Sequence, residues 1–152
     1  LFIGSGSMVV DGIRQLRAAG STAQAVTLSN NASAGFVKSL GANARGTVIS
    51  QVFPYERSMA NPMVKEAMAL QTAHGQGDLT PAMVEGYAAA KVLVEALRRA
   101  GPQITRDRLK AALEGFRKVD IGGLEVSYSP GDHSGLDYAD LSIVDESGKF
   151  RR

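Results

Sequence analysis

The chain contains no cysteine and no tryptophan. Without cysteine there is no disulfide and no thiolate metal site, and both oxidising and reducing compartments stay open. Aromatic residues make up only 6% of the chain, so there is little to stack on nucleobases. The net charge is +2, and the arginine pairs Arg98-Arg99 and Arg151-Arg152 are too small to form a nucleic-acid footprint. No apolar run approaches the roughly 20 residues of a membrane span, so no stable membrane insertion is expected. There are two histidines, His74 and His133, which limits the catalytic arrangements open to the chain.

What is present is ordinary globular material. Of the 152 residues, 44% are hydrophobic and 21% charged, enough for one domain with a real core. The chain opens on Leu1, inside a strand-like run with no signal peptide before it. An N-terminal portion is therefore expected to precede it.

The organising stretch is Gln24-Ala25-Val26-Thr27-Leu28-Ser29-Asn30-Asn31-Ala32-Ser33. An apolar run ends in small polar residues and a helical pattern starts at once, which predicts a strand feeding a helix through a tight turn. Leu1-Phe2-Ile3 followed by Gly4-Ser5-Gly6-Ser7 repeats the same grammar. In open α/β sheets ligands bind at the carboxyl edge of the strands, and helix starts favour anions. The two turns therefore read as one wall of a small-molecule site. The plainer alternative is that they cap surface helices.

In chain order, Ser7 is expected to cap a helix carrying Val9, Val10, Ile13 and Leu16, closed by Gly20. A strand follows over Ala25 to Leu28. Asn31 or Ser33 then caps a helix with Phe36, Val37 and Leu40, stopped by Gly41. Residues 46–53 form a third strand, rich in β-branched residues. This spacing predicts parallel strands with right-handed crossovers. From Asn61-Pro62 onward the pattern is helical. One helix ends at His74-Gly75. A long one from Thr80-Pro81 to Ala100 is apolar enough to be buried on most sides, and a shorter one is capped by Thr105. Val119 to Tyr128 and Tyr138 to Val144 read as strands, and residues 145–148 as a turn.

Familiar chemistries are mostly missing. Gly4-Ser5-Gly6 lacks the third glycine of a dinucleotide fingerprint, because position 9 is Val9. Neither a nucleophile elbow nor a phosphate loop matches. His133, near Asp132, Asp137 and Asp140, is a weak metal or dyad candidate with no recognised ligand spacing, and exposed acidic loops are common. His74 reads as a solvated helix end. No cofactor and no metal site are expected, nor an enzyme. Glu85 interrupts a nearly apolar helix, either as a solvated residue or as a charged ligand contact.

Several phrases resemble a known family. They are Ile13-Arg14-Gln15-Leu16-Arg17-Ala18-Ala19-Gly20, Gln51-Val52-Phe53-Pro54, Glu85-Gly86-Tyr87-Ala88-Ala89-Ala90 running on to Gly101, Gly122-Gly123, Tyr128-Ser129-Pro130-Gly131-Asp132-His133 and Ser147-Gly148-Lys149-Phe150. In order and spacing the chain resembles the C-terminal part of type I periplasmic substrate-binding proteins of ABC importers, the leucine/isoleucine/valine-binding branch. The resemblance implies an α/β fold of two lobes, each a doubly wound parallel sheet. Residues 1–53 would be a second-lobe βαβαβ segment, 54–117 a first-lobe helical segment, and 118–152 hinge-crossing and C-terminal β segments. The missing N-terminal part would hold the ligand carboxylate.

By the same resemblance the ligand contacts are Ser5, Gly6, Ser7, Ser29, Asn30 and Asn31, with Glu85 as a charged candidate. The implied partners are a small-molecule ligand (an amino acid, aromatic acid or amide) and an ABC transporter membrane permease. The implied location is the periplasm, or the cell surface if anchored. The same fold used as a ligand-sensing receptor or regulator is the alternative; a small α/β enzyme ranks third, since it would need a nucleophile–base pair or a cofactor loop and the sequence shows neither. There is one departure from the family pattern. Where its amino-acid binders place an acidic residue to meet the ligand ammonium, this chain has Asn30. A buried ammonium without a counter-charge costs several kcal/mol. Either an acid comes from elsewhere, with Glu85 and Glu56 the nearest candidates, or the ligand is not an α-amino acid.

Overall fold

The structure, a computed structural model, describes residues 1–74 and 77–152. In chain order its elements are α1 (Gly6–Ala18), β1 (Val26–Thr27), a 3-10 turn (Ser29–Asn31), α2 (Ala34–Leu40), a second 3-10 turn (Gly41–Asn43), β2 (Val48–Gln51), α3 (Pro62–His74), α4 (Pro81–Ala100), α5 (Arg106–Glu114), β3 (Val119–Asp120), β4 (Glu125–Val126), β5 (Asp140–Val144) and β6 (Phe150–Arg151). They fall into two compact units rather than the single domain that length alone suggests. One holds residues 1–55, 80–82 and 139–152, the other residues 56–79 and 83–138.

Local chemistry sets most helix ends. Ser33 Oγ accepts from the Phe36 N–H at 3.2 Å, which selects Ser33 over Asn31 as the cap of α2. Asn61 Oδ1 accepts from Val64 N–H at 3.1 Å, with Pro62 at the first helical position. Thr105 Oγ1 accepts from Arg108 N–H at 3.2 Å. Gly20, at φ 78°, turns the chain out of α1. The expected cap at Ser7 is displaced. The first turn of α1 closes on Ser5, whose carbonyl accepts from Val9 N–H at 3.1 Å, and Ser7 lies inside the helix. The expected end of α3 at Gly75 lies outside the described residues. Replacing Ser33 by alanine is expected to cost about 1 kcal/mol in a urea denaturation measurement, the ordinary cost of a lost cap.

In the first unit the sheet order is β1-β2-β5-β6. β1 and β2 are parallel, and Phe2 adds a parallel bridge to Thr27. The expected opening strand is thus a single bridge. β5 runs antiparallel to β2, and β6 antiparallel to β5, so the sheet is mixed. Val9, Val10, Ile13, Phe36, Val37 and Leu40 of the two helices pack with Ala25, Ile49 and Val144 of the sheet in one core. Both helices therefore cover the same face. On the other face Leu28, Leu141 and Ile143 are exposed, as strand alternation requires of residues out of phase with Thr27, Ser142 and Val144.

After β5, Asp145 organises the turn. Its carboxylate accepts from the Ser147 hydroxyl (2.7 Å) and N–H (2.8 Å), from Lys149 N–H (2.9 Å) and from Arg151 Nε (2.7 Å). The Ser147 hydroxyl foremost, then the Lys149 amide and the Arg151 guanidinium, hold its pKa far below the usual carboxylate range.

The second unit corrects two expectations. Residues 119–128 are not one strand but a hairpin of β3 and β4. Asp120 Oδ1 accepts from the N–H groups of Gly122 (2.9 Å) and Gly123 (2.6 Å), both at positive φ, and so folds the chain back. Nor is α4 buried on most sides. Val84, Ala88 and Ala96, at multiples of four, are buried, while Met83, Leu93 and Val94 are 39–47% exposed. Apolar content is high all round this helix, but packing covers one face of it. Phe116 is fully buried, with the Arg99 guanidinium over its ring at 4.8 Å.

Candidate functional site

The two polar corners foreseen from sequence meet at one edge of the first unit, joined by a short polar network. Thr27 Oγ1 donates to the Phe2 carbonyl at 3.0 Å, and Asn31 Nδ2 donates to Thr27 Oγ1 at 2.9 Å and to the Gly4 carbonyl at 3.4 Å. Asn30 Nδ2 reaches the same Gly4 carbonyl at 3.1 Å. Ser29 N–H is held by Ser50 Oγ of β2 at 3.1 Å. The Gly4–Ser7 turn and the Ser29–Ser33 turn are therefore fixed to each other and to the sheet.

A hollow of about 550 Å³ opens beside them. From α1 and its start it is lined by Gly6, Ser7, Val10, Asp11 and Arg14; from the second corner and α2 by Asn30, Asn31, Ser33, Gly35, Phe36 and Ser39. Val10, Asn31 and Phe36 are buried, whereas Ser7, Asp11, Arg14, Asn30 and Ser39 are exposed. Arg14 Nη2 donates to the Ser39 carbonyl at 2.5 Å, tying α1 to α2 across the hollow.

Of the residues singled out from sequence, Gly6, Ser7, Asn30 and Asn31 share this lining. Ser5 and Ser29 do not. Ser5 precedes α1 as an exposed N-cap, and Ser29 is engaged through its backbone. Glu85 belongs to the second unit and is exposed on α4. Glu56, the other acid considered, is 3% exposed in that unit. Asp11, Arg14, Phe36 and Ser39 were missed. Their signal was the helical spacing 7, 10, 11, 14 on α1 and 33, 36, 39 on α2, which places residues beside the corners on one stripe.

A second hollow, about 480 Å³, is lined in the second unit by Tyr87, Ala90, Lys91, Val94, Glu95, Arg98, Asp120 and Ile121. Its charges are satisfied internally. Lys91 pairs with Glu66, which also accepts from the Tyr87 hydroxyl at 3.0 Å. Lys91 foremost, then Tyr87, lowers the Glu66 pKa. Glu95 holds Arg99 at 2.8 Å. His133 Nε2 lies 3.1 Å from Glu114 Oε1. Among the described residues no three His, Asp or Glu side chains group as a metal site, and no helix is long and apolar enough to cross a membrane.

Comparison with known proteins agrees with this architecture. A substrate-binding periplasmic protein from Ralstonia solanacearum superposes with a TM-score of 0.83 at 34% identity, over 97% of this chain and 43% of that one. A possible leucine/isoleucine/valine-binding protein from Rhodopirellula baltica gives 0.85 at 26% identity, over 99% and 42%. An extracellular ligand-binding receptor from Verminephrobacter eiseniae gives 0.80 at 30% identity, over 98% and 43%. The chain thus spans little more than two-fifths of the length of these structures. No curated protein matches its sequence. The fold is the α/β fold of type I periplasmic binding proteins, of which the chain carries a part. The sequence profile described as periplasmic binding protein matches residues 1–149, and the chain belongs to that family.

Proposed function

We propose that this chain is part of an extracytoplasmic solute-binding protein that captures a small polar metabolite and delivers it to an ABC permease. The observation that carries this reading is the hollow of the first unit. Two strand-to-helix corners, locked together through the Gly4 carbonyl, present amides and hydroxyls on one concave surface. Such a surface suits a small polar guest. It forms one wall, and the rest of the protein supplies the opposite one. Binding then shifts an equilibrium between open and closed forms. The solute is an amino acid or a related carboxylate or amide. Branched-chain amino acids head the candidates, because the Rhodopirellula relative is described as a possible leucine/isoleucine/valine-binding protein. The site's work is binding rather than catalysis, and its place is the periplasm or the outer face of the cell.

The Verminephrobacter relative, described as an extracellular ligand-binding receptor, favours sensing as the second reading. Uptake of radiolabelled solute separates the two. Deleting the gene for the full-length protein abolishes uptake if it delivers, and leaves uptake intact if it only senses. The site itself is tested by Asn30→Ala in the full-length protein. Asn30 is exposed and lines the hollow, so affinity measured by calorimetry is expected to fall about 10-fold with little change in melting temperature. An unchanged affinity would remove this corner from the site.

A further inference from the structure

We propose that Arg152 is a clasp on the hinge. It fastens to the first unit the two chain segments that leave that unit and return to it, and so narrows the range over which the protein opens. The proposal rests on the closing motion argued above and goes beyond it, naming a residue outside the solute site that limits the motion.

The chain leaves the first unit between residues 55 and 56 and returns to it for the last time between 138 and 139. β5 begins at Asp140, just after that return, and is held by its pairing with β2, where Gln51 stands opposite Asp140. β2 ends at Gln51, so no rung of this ladder reaches Phe53, Pro54 or Tyr55, the residues before the departure. Side chains fasten them instead. Arg152 Nη2 donates to the Phe53 carbonyl at 2.6 Å, and Arg152 Nη1 to Asp140 Oδ2 at 2.9 Å. One guanidinium thus joins the departing segment to the returning one. The planar fork of arginine suits two acceptors at once. The same group lies over the Tyr55 ring at 5.8 Å, and the Tyr55 hydroxyl donates to the Phe150 carbonyl at 3.3 Å. The Arg152 side chain is only 11% exposed, so its bonds are shielded from water on most sides. Pro54, with φ fixed by its ring, carries the restraint at Phe53 on towards Tyr55. With both segments fastened, the backbone rotations of a hinge fall on residues past 55 and before 139.

The test uses the full-length protein without solute. Nitroxides on Lys38→Cys and Arg106→Cys, both exposed and one in each unit, report the spread of distances by double electron–electron resonance. A pair within the second unit, on Lys65→Cys and Arg106→Cys, gives the width of a fixed arrangement. Arg152→Ala is expected to broaden the first distribution about twofold and leave the second unaltered. Amide exchange over residues 53–57 should quicken about 10-fold. Arg152→Lys keeps a charge for Asp140 but lacks the fork, so it should broaden the distribution less; it decides the matter if Arg152→Ala fails to fold. Faster exchange, or a lower melting temperature, with an unchanged width overturns the proposal, because the contacts then hold the segment without governing the motion. A native width greater than the control that neither variant changes removes the clasp and keeps the motion. Widths equal to the control in native protein and variants alike remove the closing motion as well.

Discussion

Asn31→Ala is expected to lower stability by about 2–3 kcal/mol in urea denaturation of the full-length protein, although Asn31 lies beside Asn30 and shares its chemistry. Asn31 is 2% exposed and Thr27 fully buried. The Asn31 amide spans the interior between them, and Thr27 Oγ1 passes the chain on to the Phe2 carbonyl. Truncation leaves Thr27 Oγ1 without its donor and opens a void where the amide stood, and each carries its own cost. The Gly4 carbonyl keeps its bond from Asn30, which bounds the loss. A double-mutant cycle with Thr27→Val isolates the shared bond, with an expected coupling of about 1 kcal/mol. An unchanged urea midpoint in Asn31→Ala would show that the network does not hold the two corners together. The same change loosens the Gly4–Ser7 turn relative to the second corner, so weaker solute binding should accompany the stability loss. Asn30→Ala should weaken binding alone.

That division between neighbours marks where the sequence stopped being readable. Ser33, Asn61-Pro62, Thr105 and Gly20 announce helix ends because capping is local: the partner sits within a few residues, whatever surrounds it. The parallel pairing of β1 with β2 was legible for a similar reason, since strand, helix and strand at short spacing leave few alternatives. Which of two adjacent asparagines points inward is settled by the 3-10 turn, a single residue of phase that composition does not encode. The α4 helix shows another boundary. Its apolar residues announce burial, but burial needs a neighbour, and Leu93 and Val94 stay 47% exposed. The hairpin at 119–126 was hidden because β-branched and apolar residues run through it, and the folding signal is one carboxylate, Asp120, reaching two glycine amides ahead. That Asp11 lines the hollow was hidden because it reads as an ordinary polar position on a helix. Only the packing of α1 beside α2 turns that stripe into a wall.

Gly122→Ala should be the more damaging change, at about 3 kcal/mol or more. Gly122 sits at φ 112°, where an L side chain is strained, and an added Cβ would lie 3.0 Å from Met63 Cβ, 3.1 Å from Met63 N and 3.2 Å from Met63 Cα. Two of these three atoms are backbone of the first turn of α3, so no rotamer change relieves them. Nor can the hairpin simply back away. Met63 N–H donates to the Gly122 carbonyl at 2.9 Å, and Met63 is fully buried; moving apart loses that bond and opens the core. Gly101→Ala supplies the reference. It has φ 78° and nothing within 4 Å of the added Cβ, so it carries the backbone strain without the clash, at about 1 kcal/mol. The difference between the two variants in urea denaturation measures what the contact between α3 and the β3–β4 turn demands. If Gly122→Ala is no worse than Gly101→Ala, the close approach at Met63 is not a constraint, and the Asp120 amide bonds alone shape the turn.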